Sequence, residues 1–331
     1  MVGLGEVMRR RDFVTLLGGA AAWPLASRAQ QQTMPLVGFL NGQTAAGYTH
    51  LADAFKQGLN ESGFVEGQNV TIEYKWADRH LDQLPELAAE LVRLRPDVLV
   101  GTGGSHIAAI AATKTIPVIV SFGGDPVKLG YVASLNKPGG NVTGVTVFSP
   151  DLEAKRLELM NEIVPRGATI GYLYDPNIDF ADMELRNVET AARTFGREIR
   201  IVAASQDADL EKAFTTLAET HVGGIVMAAN PVFYNLRDHL LALTTRLKIP
   251  AVHEAREFVV AGGLMSYGTS VPEVYRQIGI YTGRVLKGEK PADLPVLEPT
   301  KFDMAINLRT AKALGINMPT SILLRANEVI E

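Results

Sequence analysis

The chain has 331 residues, 47% of them hydrophobic and 21% charged, with a formal net charge of −4 and no cysteine. That length and balance fit a folded chain with room for two ordinary domains rather than a disordered one. The mild acidity excludes the basic footprint of a nucleic-acid binder or a protein held on an anionic membrane. The absence of cysteine excludes disulfides, a thiol nucleophile and thiolate metal sites.

Residues 1–29 read as an export signal. Arg9-Arg10-Arg11-Asp12-Phe13 precedes an uncharged run, Thr15–Ala26, and Ser27-Arg28-Ala29 offers small residues for cleavage near Ala29. The paired arginines before Phe13 give it a twin-arginine character. Its apolar core is shorter than the roughly 20 residues needed to span a bilayer. Met8 is a tidier start than Met1. The expected location is the periplasm.

After a Gln-rich spacer, Leu36–Leu40 reads as a buried strand and Asn41–Gly47 as a polar loop. Tyr48–Ser62 has helical apolar spacing, with Gly63 as its C-cap. Asn69–Tyr74 alternates as a strand, Leu81–Leu94 is helical, and Val98–Gly101 is a strand. Helix Ser105–Lys114, strand Pro117–Ser121, a helical turn near Val127–Leu135 and strand Val142–Val147 complete five strands. Strands alternating with helices predict a parallel, doubly wound sheet.

Ser149-Pro150-Asp151 has the chemistry of a helix start, and the pattern then repeats. Helix Leu152–Val164, strand Thr169–Tyr174, helix Ala181–Phe195, strand Glu198–Ala203 and helix Leu210–Glu219 come first. Strand Gly224–Ala228, helix Phe233–Leu247 and strand Pro250–His253 follow. The last 75 or so residues supply helix Glu254–Ala261, strand Gly263–Ser266, helix Pro272–Lys287, strand Phe302–Leu308 and helix Arg309–Leu314, about half a domain. The expected division is one lobe from 35–147 plus about 254–289, and a second from 148–253 plus about 290–331.

Several stretches, in their order, resemble the substrate-binding proteins of ABC transporters within the type I periplasmic-binding fold. They are Arg95-Pro96-Asp97-Val98, Thr115-Ile116-Pro117-Val118, Asp125-Pro126-Val127, and Leu135–Gly144. Glu257-Phe258, Ala261–Gly268, Lys290–Leu294, Pro299–Phe302 and Ala326–Glu331 continue the series. The resemblance runs from about Leu36 to Glu331. It implies an α/β fold of two doubly wound lobes joined by a three-strand hinge. It also implies a ligand held in the cleft and passed to a membrane permease. Members bind amino acids, some of them aromatic. The chain departs from many relatives at Gly123-Gly124, where an apolar residue or serine is common.

Ligands of open α/β sheets bind beyond the carboxyl ends of the strands. That rule selects Asn41, Gln43 and Tyr48, then Thr102, Gly103 and Ser105, then Ser121, Phe122 and Asp125. In the second lobe it selects Asp175, Asn177, Asn230 and Glu254, with Tyr267 reaching the hinge. The Thr102–Ser105 turn suits an anion such as an amino-acid carboxylate, and Asp175 or Glu254 suits an ammonium group. Asp125 equally fits a helix cap with Pro126 behind it.

Enzyme motifs fail by inspection. Gly101-Thr102-Gly103-Gly104-Ser105-His106 lacks the sixth glycine of a dinucleotide fingerprint, the second glycine of a nucleophile elbow and the Gly-Lys of a P-loop. The six histidines show no metal spacing. The expected protein is therefore a monomeric binding protein of an importer, with no cofactor and no metal. The alternatives are a sensing module for a membrane receptor or, less favoured, an enzyme on the same fold.

Overall fold

The computed structural model describes residues 34–147, 152–299 and 302–331. The expected leader and the cap at Ser149-Pro150-Asp151 lie outside them. The first lobe is built from β1 (Leu36–Asn41), α1 (Ala45–Glu61), β2 (Thr71–Trp76), α2 (Leu84–Arg93) and β3 (Val98–Thr102), then α3 (His106–Ala112), β4 (Val118–Phe122) and β5 (Val142–Thr146). Its sheet is parallel, in the order β2-β1-β3-β4-β5.

Side-chain alternation divides its core. Val37 and Phe39 of β1, Val98 and Val100 of β3 and Ile119 of β4 join Leu51 and Phe55 of α1 on one face. Leu40, Leu99, Val118 and Val120 point the other way, against Leu84, Ala88 and Leu91 of α2 and Ala109 of α3. Both faces are covered, so the strands read as continuous apolar runs rather than alternating ones.

The second lobe contains α4 (Leu152–Ile163), β6 (Ile170–Tyr174), α5 (Ala181–Thr194), β7 (Ile199–Ala203), α6 (Asp207–Glu219) and β8 (Gly224–Met227). It continues with α7 (Pro231–Asn235), α8 (Arg237–Leu247), β9 (Ala251–His253), α9 (Arg256–Val260) and β10 (Met265–Gly268). The chain then makes α10 (Val271–Leu286), β11 (Asp303–Asn307), α11 (Leu308–Ala313), α12 (Thr320–Leu323) and β12 (Glu328–Ile330). The second sheet runs β12-β11-β10-β9-β8-β6-β7, parallel except where β11 lies antiparallel to β10.

Pairing moves the expected lobe boundaries. β10 sits between β9 and β11, with Met265 opposite both Val252 and Ile306, so residues 254–268 stay in the second lobe. α10 returns to the first lobe and packs along α1. Thr143 on β5 then donates to the Leu294 carbonyl at 2.7 Å, and Leu297 bridges Val145, so the segment after α10 also stays there. The chain rejoins the second sheet only at β11. It thus passes between lobes three times: before α4, between β10 and α10, and before β11.

The α1–α10 contact depends on glycine. A side chain on Gly58 would collide with the Arg276 carbonyl, and one on Gly279 with the Phe55 carbonyl. The backbones touch directly as a result. The same partners show that the two helices run parallel, Gly283 meeting Ser62 one turn further on.

Three local expectations differ. The predicted turn of helix at Val127–Leu135 is only a hydrogen-bonded turn, because Gly130 at φ +76° ends it. The predicted helix Phe233–Leu247 is two helices meeting at Leu236, the first capped by the Asn230 side chain with Pro231 behind it. α12 and β12 are too short to carry a periodic signal.

Candidate functional site

The carboxyl ends of both sheets face one another across a cleft that holds a cavity of ≈ 180 Å³. A dry cavity of roughly 150 Å³ accepts a benzene ring, so this one has room for a single aromatic ring. Tyr48, Tyr234, Tyr275 and Phe180 bring rings to its wall, with Ile107, Ile178, Val232 and Val274 among the aliphatic lining.

On the first lobe the wall is fixed by Asn41, which is fully buried at the end of β1. Its Nδ2 donates to Thr102 Oγ1 at 2.9 Å and to the Tyr275 hydroxyl at 3.2 Å, and its Oδ1 accepts the Gln43 N–H at 2.8 Å. One side chain thereby ties together β1, β3 and α10. Gln43 Nε2 donates to the Gly103 carbonyl at 3.1 Å. That bond fixes the amide orientation and leaves Gln43 Oε1 buried with no partner. Ser105 Oγ turns back into its own turn, donating to the Leu40 and Thr102 carbonyls at 2.9 and 2.8 Å.

On the second lobe, Asp175, Asn230 and Glu254 form a chain across the ends of β6, β8 and β9. Asp175 accepts the Asn177 N–H at 2.9 Å and Asn230 Nδ2 at 3.2 Å, and the Asn230 N–H donates to Glu254 Oε2 at 2.7 Å. Beneath lies Arg156, fully buried, with Nη2 on Glu153 at 2.9 Å and Nη1 on the Tyr267 carbonyl at 3.1 Å. Glu184 is buried beside them. Three carboxylates, Glu153, Glu184 and Glu254, therefore surround one guanidinium. Burial pushes the Glu254 carboxyl up to about 8 against the opposing pull of Arg156 and the Asn230 N–H. Burial and the neighbouring Glu153 raise the Glu184 carboxyl well above its ordinary range. His253, next in chain to Glu254, stacks on Phe258 at 4.5 Å; burial lowers its imidazole to about 3.

The lobes are joined over the cavity from two sides. At the start of α1, Thr44 Oγ1 donates to Asn235 Oδ1 at 3.1 Å, the Tyr48 hydroxyl donates to the Pro231 carbonyl at 3.1 Å, and His50 Nε2 meets the Tyr234 hydroxyl at 2.9 Å. On the other side Asp179 Oδ2 accepts from the Tyr131 hydroxyl at 2.6 Å and lies 3.1 Å from His106 Nε2. Burial opposes its charge, yet these two partners hold the Asp179 carboxyl below its usual range. The structure is a closed form.

Of the residues expected at the site, Gln43, Tyr48, Gly103, Ser121, Asp175, Asn177, Asn230 and Glu254 line the cavity. The others do not. Asn41, Thr102 and Ser105 are fully buried behind the wall, their polar atoms spent on each other and on the turn. Phe122 is buried and stacks with Tyr131. Asp125 caps the N–H groups of Val127 and Lys128 at 3.0 and 3.1 Å. Tyr267 contributes only its carbonyl, to Arg156.

Sequence reasoning missed Arg156, His106, Asp179, Phe180 and Tyr275. Arg156 had a signal: it falls four residues after Leu152 and three before Leu159, a charge on an apolar stripe. Tyr275 had none because its tie to Asn41 joins α10 to β1 across 234 residues of sequence, and the rest had none because their partners lie on the facing lobe. Among the described residues no group of three or more His, Asp or Glu is placed to hold a metal, and no helix is long and apolar enough to cross a membrane.

Comparison with known proteins agrees with this geometry. Residues 45–330 match the family model described as ABC transporter substrate binding protein. The tyrosine-binding protein of Clostridioides difficile is 28% identical over 272 residues, covering 79% of this chain and 75% of its own. A conserved domain protein of Vibrio cholerae is 28% identical with a TM-score of 0.83. An ABC domain from Streptococcus pneumoniae in complex with L-Trp is 26% identical with a TM-score of 0.82. Each of these two structures covers 90% of this chain and is itself covered completely. The chain belongs to the ABC transporter substrate-binding protein family, a family of binding proteins rather than enzymes.

Proposed function

We propose that this protein is the extracytoplasmic receptor of an ABC importer, and that it captures an aromatic amino acid or a related small ring compound by hinge closure. The observation that carries this reading is the single-ring cavity, walled by both lobes and latched from both sides. Closure needs a ligand that prefers the closed form, and a site divided between two lobes provides that preference. The tyrosine-binding and tryptophan-bound relatives support the ring. The protein acts as a monomer, with one cleft per chain, and delivers its ligand to a membrane permease.

A thermal-shift screen of the mature protein against tyrosine, tryptophan, aliphatic amino acids and sugars tests it. A ligand at a hundredfold its dissociation constant adds about 2.7 kcal/mol, a shift of several degrees. Sugars giving the shift while aromatic amino acids give none would refute the reading.

A further inference from the structure

We propose that Phe180 sets the size of the ring the cleft accepts, admitting a phenyl or phenol and turning away an indole. This rests on the reading of the cavity as a ring site and adds the residue that selects among rings.

The first observation is how the rest of the wall is held. The phenols of Tyr48, Tyr234 and Tyr275 are tied to the Pro231 carbonyl, to His50 Nε2 and to Asn41 Nδ2 respectively. Their rings meet edge to face, Tyr48 lying 5.7 Å from Tyr234 and 6.2 Å from Tyr275. All three, with Val232 and Val274, belong to an apolar core. Moving any of them for a larger ligand breaks a bond or opens a void in close-packed interior.

The second observation is how Phe180 is held. It is buried, yet among the described residues it joins neither apolar core. Its ring has no hydrogen bond to keep it in place. What covers it is the opposite lobe: its Cβ stands over Gly124 and its ring edge, Cε1 and Cζ, over Gly123. With no side chain on either glycine, the ring sinks to the backbone. Gly123 and Phe180 both line the cavity, so the depth of this seat fixes where the cavity ends. The preceding residue, Asp179, is latched to His106 and Tyr131 of the first lobe, which fixes where the ring enters.

The third is size. The cavity of ≈ 180 Å³ barely exceeds the roughly 150 Å³ that takes a benzene ring. An indole adds a second, fused ring. Among the described residues, Phe180 is the ring on the wall with neither a tether nor a place in a core, and removing it frees the space of one phenyl group at the cavity's edge.

Isothermal titration of the mature protein with tyrosine and tryptophan tests this, in the parent, Phe180→Ala, Gly123→Ala and the double variant. The parent is expected to bind tryptophan about fivefold to 150-fold more weakly than tyrosine, the range for overpacking a filled site. Phe180→Ala should raise the affinity for tryptophan relative to tyrosine at least about tenfold. Phe180→Leu, which keeps a smaller apolar plug, should fall between the two and carries the test if the alanine variant does not fold. Gly123→Ala should weaken tyrosine in the parent but change it by less than about twofold in Phe180→Ala, where its clash partner is gone. An equal loss of both ligands in Phe180→Ala, or a parent that binds tryptophan as tightly as tyrosine, overturns the proposal and leaves the ring site standing. A parent that binds neither, while aliphatic amino acids or sugars bind instead, overturns the ring reading and the proposal with it.

Discussion

Phe180, at the start of α5 in the second lobe, rests on the backbone of Gly123-Gly124 in the first. A Cβ on Gly124 would lie 2.7 Å from Phe180 Cβ, and one on Gly123 would fall inside the phenyl ring's contact distance. The glycine pair that departs from many relatives is thus a seat for a residue of the opposite lobe. A Cβ on Gly123 meets only Phe180, so substitution there touches the closed form, whereas one on Gly124 also meets Leu129 of its own lobe at 3.0 Å.

Gly123→Ala is expected to hinder closure. Overpacking of this kind costs about 1–3 kcal/mol, so affinity for the proposed ligand, tyrosine, should fall about fivefold to 150-fold. Unfolding of the empty protein in urea should change little, because the open form gains no clash. Small-angle scattering with saturating tyrosine should show the variant more expanded than the parent. Equal radii of gyration would contradict the seat.

Asp179→Ala removes both latch bonds beside His106 and Tyr131. Each such bond contributes about 0.5–1.5 kcal/mol, and the effect should appear as faster release. Surface plasmon resonance should show a higher dissociation rate with a nearly unchanged association rate. A slower association with unaltered dissociation would place Asp179 outside the latch.

Neighbouring residues give opposite pH dependences of folding stability. Glu254, raised to about 8, holds a proton that the unfolded chain releases above its ordinary value of 4.5, so its contribution falls as pH rises between these values. His253, lowered to about 3, stays neutral where the unfolded chain takes a proton below 6.5, so its contribution falls as pH drops through that range. The two cancel between 4.5 and 6.5. Above 6.5 only Glu254 acts, and below 4.5 only His253, each with a slope near 1.4 kcal/mol per pH unit at most. Urea unfolding should therefore show Glu254→Gln gaining stability over the parent at pH 8. A variant without that gain would mean the carboxyl is already ionised.

His253→Phe keeps the stack on Phe258 and removes the titrating ring. It should resist unfolding at pH 4 better than the parent, relative to pH 7. An identical pH profile would show that His253 is not held neutral.

The alternation of elements and the two-lobe class were legible because strands buried on both faces leave continuous apolar runs. Strand-end loops were legible as cavity wall where the side chain reaches the cleft, as with Gln43 and Glu254. They misled where a short polar side chain found partners inside its own lobe: Ser105 closes its turn, and Asn41 holds Thr102. The lobe boundary failed for a different reason. Nothing local distinguishes the strand Met265–Gly268 from one that returns to the first sheet; its partners lie at Val252 and Ile306, and only pairing shows that. Phe180 and Asp179 carried no signal because their contacts are with a surface more than 45 residues away in sequence.

The glycine contact between α1 and α10 makes those two parallel helices one stiff bracket. Both begin at the cleft. The first two turns of α1 carry Tyr48 and His50, which reach the second lobe, and α10 begins three residues after β10 ends, where the chain crosses. Latch and hinge are therefore fixed to the same rigid body. A rotation at the crossing moves the latch residues by the same angle, with no slack between them. Gly279→Ala would force the helices apart, and the hinge could then turn without carrying the latch home.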